Sequence, residues 1–252
     1  MRKGLRSWWR GTIPVLLMLA VWETLARLNW VPGDMLLPPF SSVTGQFYEL
    51  IQSRVLIKDF SASLLRVLIG FCAGSLAGIF TGVIMGWKET VRTTLSPVIA
   101  LLFPIPALGW LPLLMIWIGI NELLPITIIF ICSFFPVLYN TLTGIKEVDR
   151  KTIDAARVLG ASETYILFHV ILPAAIPNIF TGLKLEAGMA WRVIIAAEMV
   201  AIPTGIGALM MRAESLLRID IIIVCLMVIS FMCLLFERLF MCLEAKLTSR
   251  WK

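Results

Sequence analysis

The stretch Val67-Leu-Ile-Gly70-Phe-Cys-Ala-Gly74-Ser-Leu-Ala-Gly78-Ile-Phe-Thr-Gly82-Val-Ile-Met-Gly86-Trp87 carries no charge. A helix of that length covers about 30 Å, the thickness of a bilayer's hydrocarbon core. One glycine falls every four residues, a step of about 400°. Gly70, Gly74, Gly78, Gly82 and Gly86 therefore wind slowly round the helix as a groove in which another helix can come close. The pattern predicts a membrane-spanning helix built for packing.

Further charge-free runs lie at Thr93 to Asn121, Leu123 to Ile145 and Ile221 to Phe236. Of the 252 residues, 59% are hydrophobic and only 15% charged, against about 25% charged in an average soluble domain. With a mean hydropathy of +0.91, soluble, disordered and collagen-like classes are poor fits. The expected fold is all-α, a polytopic membrane protein of six transmembrane helices: Thr12 to Leu28, Ser61 to Trp87, Leu95 to Ile120, Leu124 to Ile145, Ala174 to Ile202 and Ile219 to Leu243. Residues 1–60 would hold an N-terminal tail, the first span and an external segment, and residues 61–252 the core of five spans.

The net charge of +6 is explained by loop placement and needs no nucleic acid. Arg2, Lys3, Arg6, Arg10, Lys88, Arg92, Lys146, Arg150, Lys151, Arg157, Arg238, Lys246, Arg250 and Lys252 fall on one side of the spans, whereas the opposite side has Arg54, Lys58, Arg212 and Arg218. Both termini should then be cytoplasmic. The basic start followed by Ile13 to Ala26 reads as an uncleaved helix, because Glu23 interrupts the apolar run and further spans follow. Trp8, Trp9, Trp30 and Trp87 read as interface anchors. Beyond Pro32, Gly33, Pro38 and Pro39, the helical spacing of Val43, Phe47, Leu50 and Ile51 predicts a short amphipathic helix at the outer surface.

Pro97, Pro104, Pro106, Gly109 and Pro112 crowd the third span. Each internal proline removes a backbone donor and exposes a carbonyl, which suits a broken helix beside a pathway or a simple kink. Lys184, Glu186, Arg192 and Glu198 lie on the fifth span and Arg66 on the second. Ionisable groups at such depth face a bundle interior or a wet cavity. Arg192 and Arg66 could meet an oxyanion, and an interhelical ion pair or snorkelling would satisfy them as well. The five cysteines all fall in or beside apolar runs without a CxxC pair, and His169 is the single histidine, so no metal site is expected.

The most informative charged stretch runs from Lys146 to Glu163. Ile153, Ala156 and Gly160 share a face, Gly160 is a natural stop, and Ser162-Glu163 a natural cap for a second short helix. Asp154-Ala155-Ala156, three residues, Gly160, nine residues, Val170, one residue, Leu172-Pro173 resembles the EAA loop of binding-protein-dependent ABC importer permeases. That pattern reads Glu-Ala-Ala, three, Gly, nine, Ile, one, Leu-Pro; Asp154 and Val170 are the departures. Leu37-Pro38-Pro39, Ser63-Leu64-Leu65-Arg66 with Gly70-Phe71, Pro104 to Leu113, Phe135-Pro136-Val137, and Ala197-Glu198-Met199 with Gly205 and Gly207 look like the nitrate, sulfonate and taurine branch. The likeness covers about Leu36 to Met210.

The resemblance implies that Asp154, Ala155, Ala156, Gly160, Val170, Leu172 and Pro173 form a cytoplasmic coupling loop, about residues 146–173, between the fourth and fifth spans. It also implies a homodimer of permeases in a prokaryotic inner membrane, two ATPase subunits that hold ATP and Mg, and an external solute-binding protein. The cargo would be a small solute, an anion such as a sulfonate, taurine or nitrate, with Arg66, Pro104, Pro106, Arg192 and Glu198 as pathway candidates. No G-x-x-x-x-G-K-[ST] occurs, so the chain shows no nucleotide site of its own and is expected to be a transport subunit without a cofactor. An ion-gradient-driven secondary transporter, with no ATPase partner, is the competing expectation.

Overall fold

The computed structural model describes residues 2–28 and 37–248, with side chains over 13–28 and 37–246. Trp30, Pro32, Gly33, Leu36, Arg250 and Lys252, and the side chains of Trp8 and Trp9, lie outside these. Every regular element among the described residues is helical: α1 (Arg2–Arg27), α2 (Phe40–Gln52), α3 (Val55–Trp87), α4 (Glu89–Leu102), α5 (Leu111–Trp117), α6 (Leu123–Lys146), α7 (Arg150–Val158), α8 (Glu163–Ile166), α9 (Leu172–Ala201), α10 (Ile206–Ser215) and α11 (Ile219–Thr248). A 3-10 turn, Ala107–Trp110, precedes α5, and a π turn, Leu167–Ile171, joins α8 to α9.

Among the described residues, four helical runs are long and apolar enough to cross a bilayer: Val55–Trp87, Leu123–Lys146, Glu163–Ala201 and Ile219–Lys246. A fifth crossing requires the pair Glu89–Leu102 and Ala107–Trp117, bent by 83°, to count as one span. The expected third span is therefore not one continuous helix. Pro104 and Pro106 cannot donate to the turn before them, and the chain breaks between Leu102 and Ala107. The first expected span, in α1, is not among the four; it carries Glu23 and Arg27. Glu23 has a local task, since its carboxylate accepts from Ser41 N (3.1 Å) and Ser41 Oγ (2.9 Å) in the first turn of α2, where a helix dipole favours negative charge. Trp22 stacks edge-on against Phe40 and donates to the Pro38 carbonyl.

The core is a layer of α3, α6 and α9. All five glycines of the α3 row face α6, which runs parallel to α3. A Cβ would come within 2.7 Å of Ile126 O at Gly70, 2.5 Å of Phe130 O at Gly74, 2.6 Å of Phe134 O at Gly78, 2.8 Å of Leu138 O at Gly82 and 2.7 Å of Ile145 Cγ2 at Gly86. Separations this small leave no space for any side chain. On its other side α6 meets the antiparallel α9 by the same device: Gly144 abuts Asn178, and Gly182 abuts Asn140. Trp191 of α9 is buried between Phe60 and Phe236, stacked on the first and edge-on to the second, and so ties α3 and α11 to the layer.

Candidate functional site

Two constellations of polar residues occupy opposite ends of α3. At its N-terminal end, Arg66 is almost fully buried and uses all five guanidinium N–H groups. Nε and Nη2 donate to the Glu122 carboxylate (2.6 and 2.8 Å), Nη1 donates to Glu198 Oε1 (2.6 Å) and to the Thr204 carbonyl (2.8 Å), and Nη2 also reaches Thr204 Oγ1 (2.7 Å). Glu198, with no exposed surface, also accepts from Ser63 Oγ (2.8 Å) and Gly207 N (3.0 Å). Ser63 Oγ in turn accepts from Ile206 N at 2.9 Å. A buried charge with every donor and acceptor matched is tolerable, and removal of one partner strands the other. Arg66 holds the Glu122 carboxyl below the usual carboxylate range by hydrogen bonding to it.

This knot fixes the turn between α9 and α10. Gly205 has φ +113°, and a Cβ there would fall 2.3 Å from the Glu198 carboxylate; at Gly207 it would fall 2.4 Å from Ile195 O. Only glycine permits both that backbone and that approach. One turn nearer the start of α3, Asp59 accepts from Gly205 N (3.0 Å) and pairs with Arg212. Sequence reasoning picked out Arg66 and Glu198 without joining them, and missed Glu122, Asp59, Ser63, Thr204 and Arg212 as partners. Glu122 did leave a signal: it is the lone charge between Arg92 and Lys146, set between two apolar runs.

Arg192 stands apart from the knot. It is exposed on α9 beside Met189, with Nη1 3.7 Å from its sulfur. Glu186 is buried on the same helix, where its Oε2 accepts from the Cys132 thiol (3.4 Å), and Lys184 pairs with Glu244. Pro104 and Pro106 are exposed at the break after α4, next to Phe103, which packs on Tyr139 with ring centroids 4.7 Å apart. Beyond them, Trp110, Leu111 and Met115 pack against Leu124, Ile128, Val193 and Ala197, and so seat the short arm on α6 and α9.

At the other end, residues 146–173 form a projecting cap. Asp149 caps α7 by accepting from Lys151 N (3.0 Å). The far end of α7 closes with Gly160 N donating to Arg157 O (2.9 Å) and Ala161 N to Ala156 O (3.0 Å), the double bond of a Schellman stop. Gly160 takes φ +82°, as that stop requires, with open space around it. Ser162 caps the next helix by accepting from Tyr165 N (3.3 Å), yet no separate short helix follows. From Glu163 the chain stays helical to Ala201. Pro173 has no N–H to give, and the turn before it widens so that Leu172 N bonds to Leu167 O, five residues back.

Ile153, Ala156 and Ala161 pack inward on Ile145, Ile166 and Ile171, joined there by Val170. Leu172 and Pro173 are half-buried where α9 begins. Asp154, Ala155 and Gly160 are left outside, with Val158 and Leu159 exposed by 88% and 87%. Arg157 braces the corner with Nε 2.7 Å from Glu163 and Nη1 3.4 Å from Asp154. Nothing in the spacing indicates that Val158 and Leu159 stand so far out, because an apolar residue on a short helix is ordinarily assigned to its inner face.

Residues 74–249 match the family described as "Binding-protein-dependent transport system inner membrane component". The chain is 37% identical to the taurine transport system permease protein of Escherichia coli strain K12, over 94% of its own length and 87% of that protein. It is 32% identical to the nitrate import permease protein of Synechocystis sp., over 94% and 88%. Among solved structures, an amino acid ABC transporter crystallised with histidines superposes with a TM-score of 0.65 at 21% identity, over 79% of this chain and 98% of that one, a likeness of fold. The chain belongs to the family of binding-protein-dependent transport system inner membrane components.

Proposed function

We propose that this chain is the permease subunit of an ATP-driven importer for a small oxyanionic solute of the sulfonate, taurine or nitrate kind. Two copies would pair in a prokaryotic inner membrane, each with six spans made by α1, α3, the bent α4–α5 pair, α6, α9 and α11, and with both termini in the cytoplasm. Residues 61–252 are the core on this reading, and residues 1–60 an N-terminal module. The observation that carries it is the cap: a short helix bearing Ala155 and Ala156, closed by Gly160, with Asp154, Ala155, Val158 and Leu159 turned outward. Exposed small and apolar residues on a rigid projection fit a cleft on a partner protein.

That partner is an ATPase, one for each permease copy, and it holds the ATP and Mg. Closure of the two ATPases would move the caps, shift the paired bundles between two states and give alternating access, with an external binding protein delivering solute. Arg192, exposed on α9, and Pro104 and Pro106 at the break would line the pathway. Arg66 and Glu198, which satisfy each other, would position the α9–α10 turn. The test is Gly160→Asp in the full transporter, reconstituted with its ATPase and binding protein. Co-purification of the ATPase and ATP-dependent uptake should both be lost while the permease still inserts; undiminished recruitment and uptake would overturn the reading. Uptake by the isolated chain under a proton or sodium gradient would favour the secondary transporter instead.

A further inference from the structure

A second feature of the α2 end is a groove of about 450 Å³ between α2, α3 and α11, lined by Val43, Phe47, Ile57, Val224, Met227 and Phe231 among other apolar residues. Its polar lining residue, Thr44, already donates its hydroxyl to Ser41 O. The outward residues of α2 thus have no cover: Val43 and Leu50 are buried against α11, while Phe47 and Ile51 open onto the groove.

Depth and charge identify the occupant. α3 has 33 residues and spans about 50 Å, well over the roughly 30 Å of hydrocarbon, so its first turns stand at headgroup level. The groove wall from Val224 to Met232 lies about 7 to 20 Å along α11 from Ile219, at acyl-chain depth. Besides Arg27, paired with Glu23, and Arg66 in the knot, Arg212, Arg218, Arg54 and Lys58 sit at this end. Arg212 is paired with Asp59, and Arg218 with Asp220 and Gln46, and Arg218 also takes the field of Glu49. Arg54 and Lys58 are exposed and meet no carboxylate among the described residues. Arg54 caps α3 and Lys58 lies in its first turn, its N–H donating to the Arg54 carbonyl at 3.0 Å, and the two flank Leu56 and Ile57 of the groove wall. Arg54 holds a left-handed backbone, φ 59°, in the turn.

We propose that the groove holds one acyl chain of an anionic glycerophospholipid whose phosphate is bound by Arg54 and Lys58. The site needs neither the cap nor a transported solute, so it stands independently of the importer reading.

The test uses the full chain in vesicles carrying trace phosphatidylglycerol or phosphatidylcholine, each with a photoactivatable group in mid-chain. Phosphatidylglycerol should label peptides of α2 and α11 around Phe47, Met227 and Phe231 in preference to the other lipid-facing helices. The Arg54→Gln/Lys58→Gln double variant should lower that labelling roughly ten-fold while phosphatidylcholine labelling stays the same. Met227→Trp, which fills the groove and leaves both charges, should block the label with thermal stability retained. Equal labelling by both lipids, label spread evenly over α3, α6 and α11, or cysteine cross-links from residue 47 to a second copy covering the groove would each overturn the proposal.

Discussion

The two ends of α3 use charge in opposite ways. At the Arg66 end, Arg66 and Glu198 are matched away from water, and Glu122, itself largely exposed, closes the open side of the guanidinium. At the cap, Arg157, Asp154 and Glu163 also form ion pairs, but all three are exposed. Buried, a matched charge holds a turn in one geometry, and a missing partner is costly. In water the same bonds contribute little, which leaves the cap's outer face available to something else.

The sharpest way to break this contrast is Arg66→Ala. It strands Glu198, and unfolding in detergent should report a loss of about 3 to 5 kcal/mol, or failure to accumulate in the membrane; a melting temperature like that of the parent would mean that the knot holds nothing. Next comes the rigid seam between the two ends. Gly74→Ala sets a Cβ 2.5 Å from Phe130 O and should cost about 1 to 3 kcal/mol, whereas alanine at Gly188, where nothing lies within 4 Å, should be tolerated in the same assay.

At the cap, Gly160→Asp should lower stability by only about 1 kcal/mol, the cost of a side chain in a left-handed backbone, while abolishing ATPase recruitment on the proposed reading. A large fall in melting temperature would show that the cap is structural and not an interface. Smallest of all, Glu122→Gln should cost less than about 1 kcal/mol, because its side chain is 66% exposed. Arg66 depresses the Glu122 pKa, so its share of stability is present above the ordinary carboxylate range and is lost as pH falls through the lowered value. Acid titration of the parent and of Glu122→Gln should therefore converge at low pH.

Local patterns were legible in the sequence to the extent that they depend on neighbours along the chain. The glycine row of α3, the helix stop at Gly160 and the cap at Ser162 are short-range features and stand where spacing puts them. Proline content signalled a break near Pro104, but not that the halves would lie at 83°, since the angle is set by packing of Trp110 and Met115 on α6 and α9. The second short helix expected after Ser162 is instead the beginning of the run to Ala201, because a widened turn can absorb Pro173. The partners of Arg66 lie 56 and 132 positions away. No periodicity in one sequence encodes such a pairing, and each charge alone looked equally suited to solute, lipid or another helix.

The π turn at Leu167–Ile171 has a consequence for angular phase. Each residue of an α-helix turns the chain by about 100°, and one extra residue within a widened turn shifts everything before it relative to everything after it. Deleting one residue there would let the hydrogen bonds close regularly, and in doing so would swing Ala156 and Gly160 round the axis of α9 while Glu198 stayed put. The wide turn thus works as a keyed joint: it fixes the compass bearing of the cap against the knot at the opposite end of the bundle.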